Sequence, residues 1–400
     1  MKTNRRGRAA GFPDRPYFSF GAILRKPLKS PPKTGCLSKK HHSGSSRKVF
    51  LRWTQNMDKK AIGKLPSGKR LERIRSSENY RDGAFRNIEP TEVMLRGSSW
   101  MKLLKDFAAK PSNVRPSGIL PSVKSNLKSS EEGAAVITWF GHSSYLIRSG
   151  GFNVLVDPVF NNPASPVGFF GKPFRGSDIY SFEHFPVIDL LLITHDHYDH
   201  LSYPTILKLR EKIKKAVVPL GVGEHLEYWG ISPDLITELD WWETCQIAEN
   251  VSVTATPSRH FSGRGIVRNK SLWTSYALSF CGLKLFVGGD SGYDAQFAKI
   301  GELFGPFDLA MLENGQYGDS WPHIHMLPEE TVKAALDLRA QALLPVHWGK
   351  FALSYHAWND PVRRLHKAAE KFSLRLVSPK IGETHSIGSF PEASRWWEEQ

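Results

Sequence analysis

The segment Ile188-Asp189-Leu190-Leu191-Leu192-Ile193-Thr194-His195-Asp196-His197-Tyr198-Asp199-His200-Leu201 limits what this chain can fold into more than any other. Its first half is a nearly unbroken aliphatic run, the pattern of a strand buried on both faces. Its second half puts three imidazoles and two carboxylates into six residues, where that strand ends. Solvated histidines would not need a buried strand to aim them, and histidines packed in a core would need partners. The spacing H-x-H-x-D-H has a chemical use. A tight loop can turn His195 and His197 towards one cation and Asp199 and His200 towards a second. Imidazole nitrogen with some carboxylate is a ligand mixture that suits zinc, though iron or manganese also accept it.

Other chemistry-bearing residues sit at the ends of similar runs. Residues 136–140, 145–148 and 153–156 read as the short strands of a meander, and a helix is expected over 203–214. Strands are expected at 216–219 and 251–256, the second ending near His260, with a helix at 224–229. Residues 275–280 and 284–287 read as a hairpin across Cys281-Gly282 that runs into Gly288-Gly289-Asp290. Pro328 with Glu329 and Glu330 behind it opens a helix over 328–339, and 342–346 is a buried strand delivering His347. Side chains at strand ends can converge on one place. Short helices are expected at 70–75 and 93–107, broken by Pro111, Pro116 and Pro121.

The segments Thr138-Trp139-Phe140-Gly141-His142, Leu155-Val156-Asp157-Pro158-Val159-Phe160 and Ala164-Ser165-Pro166 carry a family resemblance. So do Glu238-Leu239-Asp240-Trp241-Trp242-Glu243, Thr256-Pro257-Ser258-Arg259-His260, Gly288 to Tyr293, Gly305 to Ala310 and His347-Trp348-Gly349. Over roughly residues 57–385 the chain resembles the N-acyl-phosphatidylethanolamine-hydrolysing phospholipase D branch of the metallo-β-lactamase fold. The resemblance implies an α/β chain, an αββα sandwich built of two similar αβ halves with an N-terminal extension. The expected division is a basic tail at 1–56, an extension wrapped on the core at 57–130, and a catalytic domain at 131–390.

The resemblance also implies a site. His195, His197 and His260 would hold one zinc, Asp199, His200 and His347 a second, and Asp290 would bridge them, giving two Zn2+ per chain. Paired zinc ions lower the pKa of water to about 7, so no Ser or Cys nucleophile is needed. Asp199 and Asp290 would orient that nucleophile, and His325 would protonate or stabilise the leaving alkoxide. Asp157 resembles an acid that fixes a ligand histidine, and His142 is assigned a structural role. Tyr198, His325 and Gln316 are the expected substrate-binding residues. Glu313 and Gln316 depart from the more apolar sequence of animal members, which bears on head-group preference.

Charge separates the candidate functions. The net charge is +15, but residues 1–56 hold 14 Lys and Arg against one acid, while residues 57–400 hold 40 basic and 38 acidic residues. Basicity is thus a tail, Pro- and Ser-rich and of disordered composition, in which His41-His42 reads as linker. Such a tail suits anionic lipid, weak nucleic-acid binding or organellar targeting, and translation from Met57 is an alternative. Three cysteines without a C-x-x-C favour a reducing, cytoplasmic compartment. The expected function is hydrolysis of N-acyl-phosphatidylethanolamine to N-acylethanolamine and phosphatidic acid at a membrane surface, with no transmembrane span and a homodimer left open. The alternatives are a lactonase resembling the ascorbate-6-phosphate type and a nucleic-acid phosphodiesterase. The near-neutral body argues against nucleic acid as a partner, and the filled ligand positions argue against a metal-free scaffold.

Overall fold

The computed structural model describes residues 59–95, 100–129, 133–166, 168 and 170–399. The basic tail at 1–56, with His41 and His42, and the alternative start at Met57 lie outside the described residues.

The N-terminal elements are helix α1 (Gly68–Ser76), a two-residue hairpin β1 (Tyr80–Arg81) and β2 (Ala84–Phe85), and helix α2 (Trp100–Ala109). One sheet then forms from β3 (Val136–Trp139), β4 (Tyr145–Ser149), β5 (Phe152–Val156), β6 (Leu190–Leu192), β7 (Ala216–Pro219) and β8 (Ile236–Leu239). Helices α3 (Tyr203–Leu209) and α4 (Gly223–Tyr228) interrupt it. The second sheet contains β9 (Thr244–Ala248), β10 (Val251–Thr256), β11 (Ser275–Phe280), β12 (Leu283–Val287), β13 (Leu309–Glu313), β14 (Ala342–Val346) and β15 (Arg375–Leu376). Its helices are α5 (Gln296–Phe304), α6 (Pro328–Asp337) and α7 (Asp360–Glu370). The last strand, β16 (Thr384–Ser386), returns to the first sheet and pairs with β3.

The two sheets repeat one plan. In the first, β3, β4 and β5 are antiparallel and β5 to β8 parallel; in the second, β10, β11 and β12 are antiparallel and β12 to β15 parallel. Side-chain alternation along the strands explains the layering. Ile147, Val154, Val156 and Leu192 face Val253, Leu278, Leu285, Met311 and Leu344 in one shared core between the sheets. The other face of the first sheet, Leu146, Leu155, Leu191 and Val218, is covered by Ile206 and Leu209 of α3 and Leu226 of α4. Phe286, Ala310 and Leu343 of the second sheet are covered by Ile300 of α5, Val332 and Ala335 of α6, and Leu365 and Ala369 of α7. The architecture is the expected αββα sandwich.

Local chemistry sets the element ends. The side chain of Ser202 accepts from Thr205 N and caps α3, with Pro204 in the first turn. The helix expected to reach residue 214 stops at Leu209 and closes with a single 3-10 turn, Arg210–Lys212. Cys281 and Gly282, at φ of 50° and 85°, make the tight turn between β11 and β12. In α6 the Glu330 carboxylate accepts from Leu327 N at 2.9 Å. The core extends past the expected boundary at residue 390, since Trp396 and Trp397 are buried against Trp348.

The segment Glu238 to Glu243 shows its purpose here. Trp241 packs with Ile74 and Phe85, Asp240 accepts from Asn79 Nδ2 at 2.9 Å, and Glu243 pairs with Arg73. Arg70 completes the clamp, reaching Glu238 at 2.6 Å and Glu224 at 2.7 Å. These contacts hold α1 and the β1–β2 hairpin on the body of the sandwich.

Candidate metal centre

The candidate ligands leave their strands on short connections. Thr194 and His195 follow β6, His260 follows β10, Gly288 to Asp290 follow β12, and His347 follows β14. Ligand sites in parallel α/β sheets lie outside such carboxyl ends. The loop after β6 is a tight turn, with His200 N and Leu201 N both donating to His197 O at 3.1 and 2.8 Å. Asp196 points away from the cluster and braces the loop. Its carboxylate accepts from Gly263 N and Ser271 Oγ, both at 2.7 Å, and lies 3.4 Å from His225 Nε2.

Two clusters result. In the first, His197 Nδ1 lies 2.9 Å from His195 Nε2 and 3.2 Å from His260 Nε2. The far nitrogens are engaged elsewhere. His260 Nδ1 donates to Ile324 O at 2.9 Å. The Thr194 hydroxyl, which donates to Asp157 Oδ2 at 2.6 Å, accepts from His195 Nδ1 at 3.0 Å. Burial, reinforced by neighbouring imidazoles, holds His195 well below its usual pKa; burial likewise lowers His197 and His260. Three ring nitrogens thus converge on one point. With His195 and His260 donating from Nδ1, at most the His197 Nδ1 proton lies between them, whereas a cation would engage all three lone pairs. Their spacing approaches the ~3.3 Å edge of a tetrahedron with bonds of about 2.0–2.1 Å.

The second cluster is His142, Asp199, His200 and His347. Asp157, buried at the end of β5, accepts from His200 Nδ1 at 2.8 Å and from Thr194 N at 2.9 Å. That fixes the His200 ring with Nε2 turned to Asp290, 3.2 Å away. His142 Nε2 lies 3.0 Å from Asp199 Oδ2, and its ring lies 4.1 Å from that of His347, so His142 stands inside this cluster and holds Asp199. Asp290 faces both clusters. Its Oδ2 is 3.8 and 3.7 Å from His195 and His260 Nε2, and its Oδ1 is 3.1 Å from His347 Nδ1. His200 Nε2 and Asp290 Oδ1 are buried yet make no hydrogen bond, the condition of atoms that await a cation. The donor set fits metal.

Replacing Asp157 with Asn should lower metal affinity about 10- to 100-fold, because the amide no longer fixes His200 with Nε2 inward. Competition with a chromophoric chelator reads the change; unaltered affinity in the folded variant would contradict the role.

The expected substrate residues fall in different surroundings. His325 lies on the loop before α6, its ring centroid 5.1 Å from His260 and 5.2 Å from His347, at the edge of the centre. Its Nδ1 is 3.1 Å from Glu313 Oε2. Burial pushes the Glu313 carboxyl up to about 7, against the pull of His325. Tyr198 is half-buried, its hydroxyl donating to Arg264 O at 2.7 Å with the Arg264 guanidinium over its ring. It lines a cleft with Pro163, Pro166 and Tyr203. The Gln316 amide is taken up internally: Nε2 donates to Phe351 O at 3.2 Å and Oε1 accepts from Leu353 N at 2.9 Å. That geometry braces the segment after His347 and leaves little of the amide for a ligand.

Asn87 escaped the sequence reading. It brackets His260, accepting from His260 N at 3.0 Å and donating to His260 O at 2.8 Å. Nothing in the local sequence marks this asparagine, because its partner lies 173 residues away.

Two αβ halves that converge histidines and aspartates at their strand ends define a metal-dependent hydrolase of the metallo-β-lactamase type. A family model described as a beta-lactamase superfamily domain matches residues 152–348. An uncharacterised protein of Mycobacterium tuberculosis is 38% identical over 326 residues, covering 80% of this chain and 87% of the relative. N-acyl-phosphatidylethanolamine-hydrolyzing phospholipase D 1 of Caenorhabditis elegans is 32% identical over 270 residues, 63% of this chain and 76% of the relative. Among solved structures, the metallo hydrolase Igni18 of Ignicoccus hospitalis superposes with a TM-score of 0.51 at 22% identity, over 64% of this chain and 100% of its own. The chain belongs to the metallo-β-lactamase superfamily and resembles its N-acyl-phosphatidylethanolamine-hydrolysing members.

Proposed function

We propose that the protein is a two-metal phosphodiesterase of phospholipase D type, hydrolysing N-acyl-phosphatidylethanolamine to N-acylethanolamine and phosphatidic acid. The observation that carries the reading is Asp290, whose two oxygens face two separate clusters of histidine nitrogens. The named relative in Caenorhabditis elegans supports the substrate. His195, His197 and His260 would hold one cation, Asp199, His200 and His347 the other, and Asp290 both. The nitrogen-rich first cluster favours zinc over harder cations. Bound there, the cations supply Lewis acidity and a water acidic enough to attack at neutral pH.

The chain's own residues do the rest. Asp199, held by His142, and Asp290 would orient the attacking water, and the proton it loses would pass to the Asp199 carboxylate. Its oxygen forms a bond to phosphorus while the bond from phosphorus to the ethanolamide oxygen breaks. His325 donates a proton to that leaving oxygen. Tyr198 lines the approach. Among the described residues no helix is long and apolar enough to cross a membrane, so the lipid would be met at a bilayer surface.

Purified protein incubated with N-acyl-phosphatidylethanolamine vesicles in ¹⁸O-water tests this. The expected products are N-acylethanolamine and phosphatidic acid, with the label in the phosphate. Release of diacylglycerol, label in the ethanolamide, or no release from metal-loaded protein would refute the reaction.

A further inference from the structure

We propose that Glu313 is a positioning residue: it sets the orientation and tautomer of His325, so that the two act as one unit at the edge of the metal centre. The inference rests on the phosphodiesterase reading above and adds to it a residue that reading does not use.

Glu313 is the last residue of β13, which pairs with β12, the strand leading to Asp290, and with β14, the strand leading to His347. Its carboxylate therefore emerges at the same sheet edge as two candidate ligands. Both oxygens are spent on the segment that carries His325. Oε2 lies 3.1 Å from His325 Nδ1, and Oε1 accepts from Met326 N. The Thr331 hydroxyl at the start of α6 donates to Glu313 O at 3.0 Å, so the same residue also anchors the end of this loop. The His325 ring lies nearly parallel to that of His347, at 19°, and edge-on to that of His260. With Nδ1 donating to Glu313, Nε2 is the nitrogen left for a ligand. The Glu313 side chain is 1% exposed and that of His325 11%, so the pair has a closed inner end and an outer end within reach of solvent.

The position argues for use. Burying a carboxyl group beside Asp290 costs desolvation and repulsion from that carboxylate, and an aliphatic side chain would fill the space without either. Glu313, His325, His347 and Asp290 also lie close enough to be ligands of a single ion, and the experiment separates that role from positioning.

The test compares wild type, Glu313→Leu and Glu313→Gln, each alone and with His325→Ala. Substrates are N-acyl-phosphatidylethanolamine vesicles, bis(4-nitrophenyl) phosphate, whose leaving group departs without a proton, and glycerophosphoethanolamine, a soluble diester with alkoxide leaving groups. Glu313→Leu should lower kcat on alkoxide-releasing substrates by roughly 100-fold, with KM and metal content unchanged and little loss on the aryl diester. Glu313→Gln should lose less, because its amide oxygen still accepts from Nδ1. In the His325→Ala background neither change should cost anything further. Equal losses on aryl and alkyl diesters, losses that multiply with that of His325→Ala, or loss of bound metal would overturn the proposal. A wild type active on the soluble diesters and inactive on vesicles would remove the lipid substrate and leave the pair to be judged on glycerophosphoethanolamine. Inactivity on every phosphodiester would overturn both.

Discussion

Replacing Asp290 with Asn is expected to lower kcat by on the order of a thousandfold or more, a loss of at least about 4 kcal/mol in transition-state stabilisation. Asn has the same shape, so the buried site keeps its packing. It lacks the charge that lets one side chain face both clusters, with Oδ2 3.7 Å from His260 Nε2 of the first and Oδ1 3.1 Å from His347 Nδ1 of the second. Despite burial, His200 and His347 hold the Asp290 carboxyl well below its usual pKa, so it is the anion among these rings. Removing it leaves the imidazoles with a neutral amide, and bound metal should fall along with activity. Steady-state kinetics and elemental analysis on the same sample check both. A folded Asp290→Asn within tenfold of wild type would refute its place between two cations.

The second large effect is on stability. Replacing Trp348 with Ala is expected to cost about 3–5 kcal/mol, the range for large aromatic deletions in cores. Trp348 is buried, stacked on Trp139 at 5.3 Å and on Trp396 at 5.4 Å, and edge-on to Trp397 at 5.7 Å. Its Nε1 donates to Pro345 O at 3.0 Å and its carbonyl accepts from His142 N at 2.7 Å. Gly349 is glycine for the same reason: at φ 75° an added Cβ would sit 2.9 Å from the Trp139 ring. This cluster holds the backbone that aims His347, itself at φ 66°, so weaker metal binding should accompany the lost stability. Denaturant unfolding of Trp348→Ala beside Trp348→Phe reads the cost. A loss under about 1 kcal/mol would mean that the tryptophan cluster does not support the site.

Much of the centre was legible because its chemistry is compressed. His195 to His200 crowd one loop behind a buried strand, and few packing needs explain that. His260, Asp290 and His347 are legible only together: each follows a strand, but alone each would pass for an ordinary residue, and the family motifs supplied the link. The αββα layering came from the family resemblance, since strands such as β4 and β5 bury apolar side chains on both faces. What escaped depends on distant partners. Strand β16 is only three residues long, and its pairing with β3, with Thr384 Oγ1 2.7 Å from Thr138 Oγ1, is visible only when folded. The direction in which the Gln316 amide points, and the brace from Asn87, are likewise set by tertiary packing. Helix α7 was different. Pro361 in its first turn and the apolar spacing Val362, Leu365, Ala368, Ala369 were there to be read.

The measurement that bears most directly on the central claim is a metal titration of the chelated protein, followed by hydrolytic activity at each added equivalent of Zn2+. In a two-cation centre, activity is expected to appear only as the second equivalent binds, and Asp290→Asn neither completes the pair nor recovers turnover. Full activity at one equivalent, or at none, would contradict a centre built on two cations.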